Sequence, residues 1–397
     1  MDKIMKNINK YILLQAQKIY PRLVKIRRQI HQYPETGFNE FKTSALVKKC
    51  LKDIGLNNIK TFAKTGVVGV LKGKHKGKTI ALRADMDALT LKEETGLPYK
   101  SKNEGIMHAC GHDAHTACLI GAAYILASLK NELKGSIKFI FQPAEESPGG
   151  ALPMIKEGAL KNPKVDAAFA LHLFPTVNTA KAALKEGVMT AFADEIKIIF
   201  TGKSGHIAYP KQGIDTILPA SELMLSLKDI EFRFNNNPDP VIVGIGKITG
   251  GTKNNIIAGR TELFGTVRTL NECTRREIFD EIRKAVKEIS KKHGARSEIK
   301  IVSGYPMTIN DKEMTKQVFN SLKNILGEKN VLRLENPSLG GEDFSYFTMK
   351  VPSVFIKLGC ASKGIIKQLH NNKFCFDERL LKTGAAIHAK VAWEYLK

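Results

Sequence analysis

Residues 137–146 read Ile137-Lys138-Phe139-Ile140-Phe141-Gln142-Pro143-Ala144-Glu145-Glu146, a mostly apolar run that is broken only by Lys138 and stops at two carboxylates. A short apolar run closed by proline suits a strand buried on both faces. A second such run, residues 165–171, leads to His172, and a third, residues 79–83, leads into Ala84-Asp85-Met86-Asp87. Residues 114–129 are apolar on nearly every side and so predict a buried helix. Strands alternating with helices predict an α/β fold with a mostly parallel sheet flanked by helices. Chemistry in such sheets collects at the carboxyl ends of the strands. Asp85, Glu145, Glu146 and His172 all fall there on this reading.

Working outward, helical patterns open the chain at about residues 8–32 and 41–51. The pattern changes after Gly187: a half-exposed alternation at 192–200, a helix at 216–227, strands at 241–248 and 256–267, an amphipathic helix at 277–292 and a strand at 298–303. Strand-helix-strand-strand-helix-strand is the order of a small two-layer α+β domain. Strand and helix then alternate again to the end. The expected organisation is a catalytic, metal-binding domain of residues 1–185 and 305–397, interrupted by an inserted lid or dimerisation domain of residues 186–304.

A chain of 397 residues is long for one domain, and its 43% hydrophobic and 25% charged residues are ordinary for a globular protein. Six scattered cysteines without paired spacing fit reduced thiols in a cytoplasm. Neither a signal peptide nor a membrane-spanning run is expected. The net charge of +23 raises the question of nucleic acid or an anionic membrane as partner. The lysines, however, are spread along the chain, with no zinc-finger spacing and no aromatic-basic ladder, so neither partner is expected.

The segment Met107-His108-Ala109-Cys110-Gly111-His112-Asp113-Ala114-His115 places a cysteine and three histidines ahead of the buried helix. Thiolate, imidazole and carboxylate together suit a zinc-type site assembled from several loops. Gly111 lets Cys110 and His112 approach one point. Glu145 and Glu146, in a turn after a strand, can divide metal binding and proton handling between them. His206 lies in a glycine-flanked loop of the inserted domain, far in sequence from the rest, which suggests a substrate contact and not a ligand. His31 has no evident partner and reads as structural.

Ordered motifs along nearly the whole chain carry a family resemblance. They are Arg28-Gln29-Ile30-His31 with Pro34-Glu35, residues 82–89, the Cys110 segment, Gln142 to Ala151, Gly205-His206 with Pro210, Gly265-Thr266-Val267-Arg268 and Gly341-Glu342-Asp343-Phe344. The chain resembles the aminoacylase/carboxypeptidase family of di-metal amidohydrolases, in the branch of hippurate hydrolases, N-acetyldiaminopimelate deacetylases and plant auxin-conjugate hydrolases. The resemblance implies two divalent metal ions (zinc, manganese, cobalt or nickel) on Cys110, His112, Glu146, His172 and His370, with Glu145 as general base. It implies that His206 serves the active site of the other subunit of a homodimer, and that Asn255 and Arg268 hold the substrate carboxylate. It also implies that Asp85 and Asp113 orient metal-binding histidines. The sequence departs from the family pattern at Ala258, where a proline is usual.

The implied reaction is hydrolysis of the amide of an N-acyl-L-amino acid, with N-acetyldiaminopimelate or hippurate among the expected substrates. A carboxypeptidase acting on short peptides is the alternative within the enzyme class. From another class, a basic binding protein without catalysis would be expected to have lost the base or the ligands, and all of those positions are filled.

Overall fold

The computed structural model describes residues 7–235, 239–361 and 368–397. The chain divides into two compact units, one of residues 1–189, 309–335 and 343–397 and the other of residues 190–308 and 336–342. The return of residues 336–342 to the second unit has no counterpart in the sequence reading. Backbone pairing explains it: the Ala191 N–H donates to the Gly340 carbonyl at 3.1 Å, and Thr190 bridges Ser338 in parallel.

In the first unit, a sheet runs in the order Ile59–Phe62, Gly66–Lys72, Lys134–Gln142, His75–Asp85, Ala167–Asn178, Ser353–Ala361, Ala182–Leu184, Val331–Arg333. The four central strands, from Lys134–Gln142 to Ser353–Ala361, are mutually parallel; Gly66–Lys72 pairs antiparallel with Lys134–Gln142, and Ile59–Phe62 pairs antiparallel with Gly66–Lys72. Helices Ile8–Gln32, His112–Ala127 and Leu380–Leu396 contribute to the larger core, with Leu82, Phe139, Leu171 and Ile356 from the sheet. A smaller core against the other face holds Ile140, Ala170, Phe344, Phe347 and Phe355. Helix His112–Ala127 buries nearly all of its residues, as its apolar circumference requires.

Two differences from the sequence reading bear on the site. The buried helix begins at His112, so a candidate ligand is its first residue. His172 lies inside strand Ala167–Asn178, because the chain continues to pair beyond it with Ser353–Ala361, from Lys357 opposite His172 to Gly359 opposite Phe174.

The second unit is a two-layer α+β body. Its antiparallel sheet runs Ile242–Gly250, Arg260–Thr269, Phe192–Thr201, Arg296–Tyr305. Helices Ile217–Phe234 and Glu272–Lys292 close a core with Ile198, Phe200, Leu223, Leu263 and Ile282. Along helix Ile217–Phe234, Leu218, Leu225 and Phe232 recur every seven residues and are 55%, 72% and 72% exposed. Edge strand Ile242–Gly250 also exposes Ile242 and Ile248. Among the described residues, no helix is long and apolar enough to cross a membrane.

Candidate metal centre

Gly111 makes the local geometry possible. It sits at φ 91°, and a Cβ there would come within 2.9 Å of Leu173 Cδ1, so only glycine is comfortable. Cys110 and His112 flank it and reach one cluster: Cys110 Sγ lies 3.4 Å from His172 Nε2. Ligand atoms of Cys110, His112 and His172 lie within 4.8 Å of one another, as do those of Cys110, Glu146 and His370, and those of His112, Glu145 and Glu146. These triads share members, so all five implied ligands and the implied base form one continuous group. His370 reaches it from a backbone at φ 57°, with its Nε2 3.1 Å from Glu146 Oε1.

The tautomers fit metal binding. His112 Nδ1 donates towards Asp87, whose carbonyl and Oδ1 lie 3.0 and 3.2 Å away, and His172 Nδ1 donates to the Leu173 carbonyl at 2.8 Å. In the neutral ring, the form a metal binds, each Nε2 then presents its lone pair to the cluster. His112 Nε2 is buried without a hydrogen-bond partner among the described residues, 3.9 Å from both Asp85 Oδ2 and Glu146 Oε1. Electrostatics agree. Burial raises the Cys110 thiol well above its ordinary pKa, and Glu146, Glu145 and Asp85 add to the rise. Burial opposes protonation of His112, yet Asp85, Asp87 and Glu146 outweigh it and push the imidazole up to about 10. Converging negative charge of this kind, around soft and borderline donors, is the environment a divalent cation relieves. The donor set therefore fits a metal centre.

Carboxylates further out build the loops. Asp87 Oδ2 accepts the backbone N–H of Glu146 at 3.0 Å, so one residue positions both His112 and Glu146. Glu40, fully buried, accepts the N–H groups of Phe38 and Ala144 at 3.0 and 2.9 Å and so fixes the residue before Glu145. Asp343 receives Arg83 Nη2 and the Ala151 N–H, both at 2.9 Å, and Gln142 Nε2 at 2.8 Å, framing the loop that carries both glutamates. Sequence reasoning assigned no role to Asp87, Glu40 or Asp343. Asp87 and Asp343 stand within quoted motifs, whereas Glu40 carries no local signal.

Asp85 and Asp113 call for correction. Asp85 Oδ1 accepts from His115 Nδ1 at 2.6 Å, and its Oδ2 accepts from Arg83 at 2.8 Å. His115 Nε2 in turn accepts the Leu173 N–H at 2.9 Å, so Asp85 acts on the strand beside His172 and does not hold a candidate ligand itself. Asp113 faces away from the cluster, 2.7 Å from Arg27 Nε and 2.8 Å from His31 Nδ1. His31, far from lacking partners, lies between Asp113 and Glu93, with its Nε2 3.2 Å from Glu93 Oε1. His108 is buried, with both ring nitrogens unpartnered among the described residues, and belongs to none of the ligand triads.

The remaining candidates lie in the second unit. His206 pairs with Ile256 in a two-stranded ribbon, is exposed, and accepts the Ala208 N–H at Nδ1. The exposed Asn255 adjoins it, its carbonyl accepting the Ile207 N–H at 3.1 Å. Arg268 is half-buried on strand Arg260–Thr269, and its Nη1 would lie 3.0 Å from a Cβ at Gly341. Glycine at 341 thus lets the guanidinium rest against the 336–342 segment.

Residues 81–394 match the description of peptidase family M20/M25/M40. The chain is 41% identical over 386 residues to thermostable carboxypeptidase 1 of Saccharolobus solfataricus, covering 96% of this chain and 97% of that one. It is 39% identical over 373 residues to the hippurate hydrolase of Campylobacter jejuni, covering 94% and 96%. Among solved structures, the Bacillus subtilis YXEP protein, a dinuclear metal binding peptidase, matches with a TM-score of 0.80 at 32% identity over 95% of this chain and 98% of that one.

Proposed function

The chain belongs to peptidase family M20/M25/M40, and on that premise we propose that it is a metal-dependent amidohydrolase that cleaves N-acyl-L-amino acids to the free amino acid and a carboxylate. The observation that carries this reading is the single cluster joining Cys110, His112, Glu145, Glu146, His172 and His370 through shared ligand triads. Two divalent metal ions would be held by Cys110, His112, Glu146, His172 and His370. Bound there, they supply Lewis acidity that polarises an amide carbonyl and acidifies water. The thiolate and imidazoles favour zinc, and the carboxylates also admit manganese, cobalt or nickel.

Glu145 is 6% exposed beside Glu146, a placement that suits moving a proton in a water-poor site. As general base it takes the proton of the attacking water and hands it to the departing nitrogen. His206 donates to the developing oxyanion, a contribution typically worth ~2.7–4 kcal/mol. Asn255 and Arg268 hold the substrate carboxylate. We place His206 in the partner subunit's active site, which makes the enzyme a homodimer. The exposed Leu218, Leu225 and Phe232 stripe and the open edge strand Ile242–Gly250 support a self-association surface on the second unit. The second unit would then act as a lid and dimerisation domain in a cytoplasmic enzyme.

The test is metal-dependent release of free amine from N-acetyl-L,L-diaminopimelate, hippurate, N-acetyl-methionine and a benzyloxycarbonyl dipeptide, with Glu145→Gln as control. A second reading, carboxypeptidase action on short peptides, is favoured by the 41% identity to a carboxypeptidase. Preference for the dipeptide in the same panel would select it.

A further inference from the structure

Two lysines within the central strands, Lys138 and Lys357, are buried. Their surroundings differ. The Lys138 ammonium donates to the carbonyls of Ala159, at 2.9 Å, and Lys161, so its burial has a structural account. Lys357 is 8% exposed and has no carboxylate within 4.0 Å and no hydrogen-bond acceptor among the described residues. Its ammonium lies 4.2 Å from the centre of the Phe174 ring. Burial draws its pKa below that of ordinary lysine. Its Nζ is not one of the fully buried, unpartnered atoms among the described residues, so a buried stem carries an ammonium that still meets solvent at its tip and is free to take an anionic oxygen. A cation–π contact with Phe174 holds it in place without neutralising it.

Register places this cation beside the candidate centre. Lys357 pairs directly with His172 on the adjacent parallel strand. Leu171 and Leu173 belong to the larger core and Phe355 to the smaller one, so strand alternation puts His172, Phe174 and Lys357 on one face. The Phe174 ring meets the His172 ring edge-on at 5.5 Å, joining imidazole, aromatic ring and ammonium in one line of contacts.

We propose that Lys357 is a specificity-determining residue that recognises a second carboxylate on the substrate, beyond the α-carboxylate of the amino acid. The inference rests on the amidohydrolase reading and deepens it: the preferred substrates are dianionic N-acyl amino acids. The extra carboxylate is carried either by a dicarboxylic acyl group or by an acidic amino acid, and both present the oxygen that the ammonium lacks.

The test compares wild type, K357M and K357R on two matched pairs. N-succinyl-L-leucine and N-butyryl-L-leucine place or omit the charge on the acyl side, and N-acetyl-L-glutamate and N-acetyl-L-glutamine do so on the amino acid side. Loss of a charge-assisted contact predicts that K357M lowers kcat/KM roughly 10- to 100-fold on one acidic substrate, mainly through KM, and its neutral partner by far less. K357R should retain part of the preference. An unchanged acidic-to-neutral ratio in K357M, or an equal fall on all four compounds, overturns the proposal. Calorimetric binding of the same compounds to E145Q and to E145Q/K357M reads the discrimination without turnover. Absence of hydrolysis with the binding preference intact would therefore count against the reaction assigned and not against Lys357.

Discussion

Asp87 grips His112 at a single ring nitrogen, with its carbonyl oxygen 3.0 Å and its Oδ1 3.2 Å from Nδ1, and spends its remaining carboxylate oxygen on the Glu146 backbone. One residue, through its backbone carbonyl and its carboxylate together, therefore fixes the tautomer of one candidate ligand, and the carboxylate also fixes the position of another. Replacing Asp87 with alanine should leave the fold intact and weaken metal affinity about 10- to 100-fold, the usual effect of losing such a partner. Competition with a fluorescent chelator measures this directly, and wild-type affinity in D87A would remove the role assigned to Asp87.

Gly111 sets the approach of Cys110 and His112. A Cβ in its left-handed backbone, 2.9 Å from Leu173 Cδ1, predicts for G111A a destabilisation of about 1–3 kcal/mol. Urea unfolding of the metal-free protein would register it. A stability equal to wild type would show that the loop can rearrange without harm.

The Arg27–Asp113–His31–Glu93 network gives a pH signature. Burial opposes ionisation of Asp113, but Arg27 and His31 hold its carboxyl well below the usual range. Its contribution is present above the unfolded value of about 3.9 and is lost as pH falls through its depressed pKa. Burial and Arg27 oppose protonation of His31, but Asp113 and Glu93 prevail and raise its pKa. That contribution is complete below about 6.5 and is lost as pH rises through the raised value. The Tm difference between wild type and H31Q should therefore be largest near pH 5.5 and shrink by pH 9. A difference that grows with pH would contradict the charged pairing. Breaking the buried Arg27–Asp113 pair with D113N should cost about 3–5 kcal/mol.

These residues also mark how far the sequence could be read. The parallel sheet was legible because runs such as Ile137 to Phe141 are mostly apolar, broken only by Lys138, and the candidate ligands were legible because Cys110, His112 and the two glutamates cluster in short segments. Asp87 escaped notice because its function lies in a carbonyl and a carboxylate meeting a ring 25 positions along the chain. Asp113 misled because the family resemblance, and no local signal, paired it with a metal-binding histidine, whereas its carboxylate meets Arg27 on another helix. His172 was placed at a strand end because nothing local reveals that Ser353–Ala361 extends the pairing past it.

If the proposed homodimer forms through the second unit, His206 can be tested across it. Charging the exposed stripe with L225D and F232D should yield a monomer in sedimentation velocity. If His206 acts across the dimer, mixing and refolding inactive E145Q with inactive H206N should restore activity in heterodimers that assemble one intact site. No recovery from heterodimers verified by mass would place His206 in its own subunit's site.

The central claim is metal-dependent amide hydrolysis driven by Glu145. The most direct measurement is amine release from the N-acyl amino acid panel by chelated, then metal-reconstituted, wild type and E145Q, with bound metal quantified in each. The account predicts two metal ions per chain in both proteins, activity restored by metal in wild type, and loss of at least about 100-fold in kcat for E145Q, the lower range for a general base. Full activity in metal-loaded E145Q, or hydrolysis unaffected by chelation, would contradict it.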